Sequence, residues 1–123
     1  MMTSKEIETY VDSREKFIRE CERVCIEMRR FNDDYIFLEK FEVDGDFVEG
    51  EGEEHLWGGE AEIVYQYFPV GLLAFSNEEL KQYVDDLIKE KEDEEKLYKQ
   101  QTEDRQKERD LVEFNRLKEK LGL

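Results

Sequence analysis

The sequence predicts an α+β fold: an N-terminal helix, a three-stranded antiparallel β-meander and a long C-terminal helix. Three observations carry this reading. Apolar residues recur at three- and four-residue steps up to Phe31. Between Tyr35 and Pro69, runs of aromatic and β-branched residues are separated by Asp-Gly and Gly-Gly turns. From Ser76 to Leu121 there is neither glycine nor proline. At 123 residues the chain has room for one domain with a modest core. Residues 1–99 are expected to form that domain, and residues 100–123 a charged distal helical segment for self-association or partner binding.

Thr3 or Ser4 can cap the first helix. After it, Ile7, Tyr10, Val11, Phe17, Ile18, Cys21, Val24, Cys25, Met28 and Phe31 form one apolar stripe over about seven turns. The run should stop near "FNDD", where Asn32 and two aspartates favour a turn. "YIFLEKFEV" is strand-like, and Asp44-Gly45 after it suits a two-residue type I′ turn, in which both central residues need positive φ. Folding about that turn sets Phe41 against Val48 and Lys40 against Glu49. "EAEIVYQYF" then alternates, with Ala61, Ile63, Tyr65 and Tyr67 on one face and Glu60, Glu62, Val64 and Gln66 on the other. A buried aromatic layer is expected beneath this ribbon.

Pro69 ends the third strand because it cannot donate to a ladder. Ser76 and Glu79 form a capping box, with Phe75 and Leu80 placed as a hydrophobic staple. A single helix from Ser76 to Leu121 would run roughly 70 Å at the usual rise, about twice the width expected of a compact globule of this length. Its two apolar stripes, Leu80, Tyr83, Val84, Leu87 and Ile88 and then Leu111, Phe114, Leu117 and Leu121, lie roughly 150° apart. They cannot press onto one core from a straight helix. Either the helix projects and its distal stripe meets a partner or a second copy, or it breaks near Gln100 to Asp104 and folds back.

The formal net charge is −15, and it is unevenly placed. Residues 1–33 hold 8 acidic and 7 basic side chains, residues 34–75 hold 11 and 1, and residues 76–123 hold 15 and 11. The middle third therefore carries −10, most of it in "DGDFVEGEGEEHLWGGEAE". Direct nucleic-acid binding is disfavoured by repulsion. A basic protein partner is favoured, met by Asp44, Asp46, Glu49, Glu51, Glu53, Glu54, Glu60 and Glu62, with Trp57 either folded over the sheet or left as an apolar anchor. Charge that guards an edge hairpin against aggregation is the plainer account of the same acids.

Other chemistry finds little support. An EF-hand loop begun at Asp44 would need glycine where Glu49 stands and a bidentate acid where His55 stands. Cys21 and Cys25, four residues apart on the apolar stripe, are core residues, since a structural zinc site needs four ligands and only His55 could join them. No nucleophile is marked by its surroundings, and no phosphate-binding glycine loop is present. Neither catalysis nor a cofactor is expected. With no basic-then-apolar leader and no apolar run of bilayer length, a cytoplasmic location is expected, and reduced thiols with it.

The succession "VDGDFVEGE", "LWGG", "YQYFPVGLL" and "SNEEL" leading into a charged helix resembles small phage and prophage proteins of Gram-positive bacteria. The resemblance implies a mobile-element origin, action in a host bacterial cytoplasm and a role against host defences; together with the −10 middle third it favours an inhibitor of a host nuclease or another nucleic-acid-binding factor. A structural module whose last helix pairs as a coiled coil is an alternative. So is a sponge for a nucleotide signal, which would require a pocket between subunits lined by the first helix's arginines and a tyrosine.

Overall fold

The computed structural model describes residues 1–122. Their elements run α1 (Ser4–Met28), a short 3-10 helix (Asp33–Phe37), β1 (Leu38–Asp44), β2 (Phe47–His55), β3 (Ala61–Pro69), a second 3-10 helix (Val70–Ala74) and α2 (Asn77–Leu121). The strands form one antiparallel sheet in the order β1-β2-β3, so the α+β meander is the fold. The chain divides into two compact units, Met1–Asp85 and a second from Asp86 onward.

Thr3 caps α1, its Oγ1 accepting from the Glu6 amide at 3.2 Å. Only the second half of the predicted stripe is core: Cys21, Val24, Cys25 and Met28 are buried, while Ile7, Tyr10 and Val11 are exposed. The periodicity is continuous, but the sheet and short helices that cover it reach only the C-terminal turns. The chain leaves the helix at Arg29, and Asn32 caps the 3-10 helix by accepting from the Asp34 amide at 2.9 Å. Tyr35 to Phe37, expected to begin the first strand, lie in this short helix instead.

The first hairpin differs from expectation in register. Val43 pairs with Val48, Phe41 with Gly50 and Lys40 with Glu51, so the turn centres on Gly45-Asp46 rather than Asp44-Gly45. Gly45 has φ +60°, whereas no non-glycine residue among those described has positive φ. Glycine at the first central position, alone in needing positive φ, is the type II′ pattern rather than type I′. The change of two residues keeps each side chain on its face. It also lets Gly50 and Gly52 sit under bulk: a β-carbon on Gly50 would come within 2.5 Å of Leu38 Cδ1, and one on Gly52 would fall onto the Phe37 backbone. The glycines therefore admit the first 3-10 helix against the strand.

One face of the sheet is thus covered. Val48, Val64 and Phe68 point into it and are buried with Tyr35, Leu38, Phe41, Leu72, Leu80 and Val84. Gln66 shares that face and is satisfied by Asp34, its Nε2 donating at 3.3 Å, while the Tyr35 hydroxyl donates to the Tyr67 carbonyl at 2.6 Å. Arg23 fastens α1 to the chain between the sheet and the first turn of α2, donating to Glu20 at 2.8 Å, to Asn77 Oδ1 at 3.0 Å and to the Leu73 carbonyl at 3.4 Å.

Ser76 and Glu79 make the expected reciprocal cap, at 3.2 and 3.1 Å, and Phe75 meets Tyr83 edge to face at a centroid distance of 6.2 Å. Beyond the cap, α2 runs to Leu121 without a break at Gln100 to Asp104. No helix among the described residues is long and apolar enough to cross a membrane.

Candidate functional site

The second face of the sheet has no cover within its unit. Partners across an antiparallel pair share a face, so the register places Glu49 beside Tyr67, Glu51 beside Tyr65 and Glu53 beside Ile63. On the other side of β2, Glu42 stands opposite Glu49, Lys40 opposite Glu51 and Asp44 opposite Phe47. The result is a row of three carboxylates along the middle strand, flanked on the β3 side by Ile63, Tyr65 and Tyr67, which are 54, 49 and 50% exposed. Successive carboxylates in the row are about 7 Å apart along the strand.

This arrangement inverts the usual pattern for a half-buried strand. The residues of β3 that look most like a core, Ile63, Tyr65 and Tyr67, face outward, and Val64, Gln66 and Phe68 face inward. The missed signal lay in β2. "VEGEGE" alternates small with acidic residues, and the glycines mark the covered face because only there does another backbone approach. Had that face been assigned first, the open-face row of Phe47, Ile63, Tyr65 and Tyr67 would have followed by pairing.

The acids expected to form one docking surface are divided. Asp44, Glu49, Glu51 and Glu53 share the open face. Glu54 and Glu62 oppose each other on the other face, at the end of the sheet, and Asp46 and Glu60 lie in the two turns. The second turn closes through the Leu56 amide, which donates to the Glu60 carbonyl at 2.8 Å, with Gly58 and Gly59 at φ +94° and +80°. At its tip Trp57 is 103% exposed. Of its two expected positions it takes the exposed one and does not fold over the sheet. Leu111, Phe114, Leu117 and Leu121, expected to mediate association, are exposed along α2.

Like charges face each other twice in this sheet, at Glu42–Glu49 and Glu54–Glu62. Such pairs oppose folding, by up to roughly 1 kcal/mol each relative to neutral partners. Lys40 is the one lysine or arginine between positions 34 and 75, and its cross-strand partner is Glu51.

Burial raises the Cys21 and Cys25 thiols from 9.0 to about 12, with Glu20 and Glu22 adding to the effect at Cys21 and Cys21 adding to it at Cys25. Both are therefore neutral, inert core thiols at physiological pH. A cavity of about 270 Å³ lies beside Cys25, lined also by Glu22, Arg29, Tyr35 and apolar neighbours, but the Tyr35 hydroxyl is spent on the Tyr67 carbonyl. Among the described residues, no three His, Cys, Asp or Glu side chains converge to hold a metal ion. Comparison with protein-family models, curated proteins and solved structures returns no match.

Proposed function

We propose that this chain is an interaction protein whose open sheet face docks into the phosphate-binding groove of a nucleic-acid-binding protein, such as a nuclease, and blocks it. The observation that carries this reading is the carboxylate row Glu49, Glu51 and Glu53 running beside the apolar row Tyr67, Tyr65 and Ile63. Grooves for single strands combine cationic side chains that track the backbone with aromatic platforms for the bases. A regularly spaced anionic row with ring faces to one side offers the same two features in the same order. The −10 middle third adds long-range attraction that speeds encounter with a basic groove. Trp57, exposed on its loop, supplies a further anchor at the rim. The role against host defences implied by the resemblance to phage and prophage proteins is of this kind.

The test is capture from a bacterial lysate on the immobilised full chain at low and high salt, followed by competition between the chain and nucleic acid for each captured protein. Nucleic-acid-binding proteins retained at low salt, released at high salt, displaced from nucleic acid by the chain and lost with Glu49→Gln, Glu51→Gln and Glu53→Gln together support the reading. Capture unchanged by that triple replacement rejects it.

A further inference from the structure

The distal part of α2 carries the complement of the open sheet face. Residues 105–121 hold six basic side chains and four acidic ones, a net positive stretch in a chain of −15. Leu111, Phe114, Leu117 and Leu121 form an exposed stripe along it, and at about 100° per residue Lys107, Asp110 and Lys118 all fall within about 50° of the stripe's centre, two cations against one anion. The helix therefore presents a leucine and phenylalanine ridge with ammonium groups alongside, where the sheet presents a tyrosine and isoleucine row with carboxylates alongside. The dimensions agree as well. Lys107 and Lys118 are eleven residues apart, about 16 Å of helix rise, and Glu49 to Glu53 spans about 14 Å of strand. The whole segment is about 25 Å long, against about 30 Å for each nine-residue strand.

Residues 14–30 of α1 are positive to the same degree, with six basic and four acidic side chains, but their apolar residues Cys21, Val24, Cys25 and Met28 are already in the core. In the distal segment the apolar stripe is exposed and has Lys107 and Lys118 beside it, while Arg105, Arg109, Arg116 and Lys120 add positive charge on the helix's other side. Pairing that segment with its own copy would set two net positive helices together. Charge favours the sheet.

We infer that the segment 105–121 of one molecule docks on the open sheet face of a second copy, giving a head-to-tail self-association that occupies the face when no other basic partner is present. The contact is heterologous, since a helix on one copy meets a sheet on the next. A single helix laid on three strands falls at the small end of interface sizes, so the association is weak and depends on salt. It uses the same face as the proposed function without requiring that function's partner.

The experiment uses purified full-length chain alone, so its failure leaves the proposed function standing. Sedimentation equilibrium at low salt, up to about 1 mM chain, is run on three proteins. They are the wild type, a sheet variant with Glu49→Lys, Glu51→Lys and Glu53→Lys, and a tail variant with Lys107→Glu and Lys118→Glu. None of the replaced side chains is buried, and circular dichroism is to check that each variant is folded. The wild type is expected to show average mass rising with concentration and falling back to the monomer at high salt. Each variant should associate at least about tenfold more weakly. An equimolar mixture of the two variants should associate again, because the tail of one then matches the sheet of the other. A monomeric wild type, a sheet variant that associates as the wild type does, or a mixture that stays monomeric overturns the inference. The second of these outcomes assigns the contact to tail-to-tail pairing instead.

Discussion

Gly52 lies directly over the Phe37 carbonyl, so close that a β-carbon at this position would overlap it. The obstacle is backbone, which cannot rotate away. At Gly50 the nearest obstacle is the Leu38 Cδ1 methyl at 2.5 Å, the end of a side chain that has other rotamers. Gly52→Ala is therefore expected to destabilise by about 3 kcal/mol or more, and Gly50→Ala by about 1–2 kcal/mol. Urea unfolding of both variants checks this. Equal losses at the two positions would show that the first 3-10 helix does not pack on β2 as described.

Trp57 is the chain's only tryptophan and projects from the second turn without protein contact on its ring, at 103% exposure. Native fluorescence should then resemble that of a free indole in water, with accessible quenching and little change in emission wavelength on unfolding. Trp57→Ala should alter stability by no more than about 0.5 kcal/mol. A blue-shifted native spectrum, or a loss of stability well above that figure, would place the ring against the sheet.

Much of the fold could be read from residue spacing, and the exceptions share one cause. Helix α1, the capping box at Ser76, the strand end at Pro69 and the order of the three strands all follow from local signals: periodicity, cap chemistry, a missing amide donor. What could not be read was contact between segments distant in sequence. Ile7, Tyr10 and Val11 have the same spacing as Cys21, Val24 and Cys25, yet only the latter are covered, because coverage depends on where the first 3-10 helix crosses the sheet. That crossing also decides that Ile63, Tyr65 and Tyr67 face outward. The acidity of the candidate surface was visible, but its division between two faces depends on the strand register, and the turn at Gly45-Asp46 rather than Asp44-Gly45 sets that register.

Three buried acids make stability sensitive to alkali. Cys21 and Cys25, ordinarily at 9.0, and Tyr35, ordinarily at 10.0, are each raised to about 12, chiefly by burial. Between those values the unfolded chain has lost protons that the folded chain keeps. Stability therefore falls as pH rises; it is fully present below about pH 9 and is lost progressively toward about pH 12. Urea midpoints measured from neutrality to about pH 11 should decline, and Cys21→Ala with Cys25→Ala should delay the onset toward the Tyr35 range. A midpoint that stays level across that interval would mean that the three groups are not buried.

The paired glutamates separate the demands of folding from those of docking. Glu42 faces Glu49 on the open side, and Glu54 faces Glu62 on the other. Lysine at one member of either pair turns repulsion into attraction across the strands, so Glu42→Lys and Glu62→Lys should each stabilise the chain by about 0.5 kcal/mol in urea unfolding. Their effects on partner capture should differ. Glu42→Lys puts a cation into the proposed docking face, next to the carboxylate row, and should weaken salt-sensitive capture; Glu62→Lys lies off that face and should leave capture close to wild type. If both weaken capture equally, overall charge rather than the open face governs binding. If neither stabilises, the like-charge pairs exert no strain, and no folding penalty needs to be explained by function.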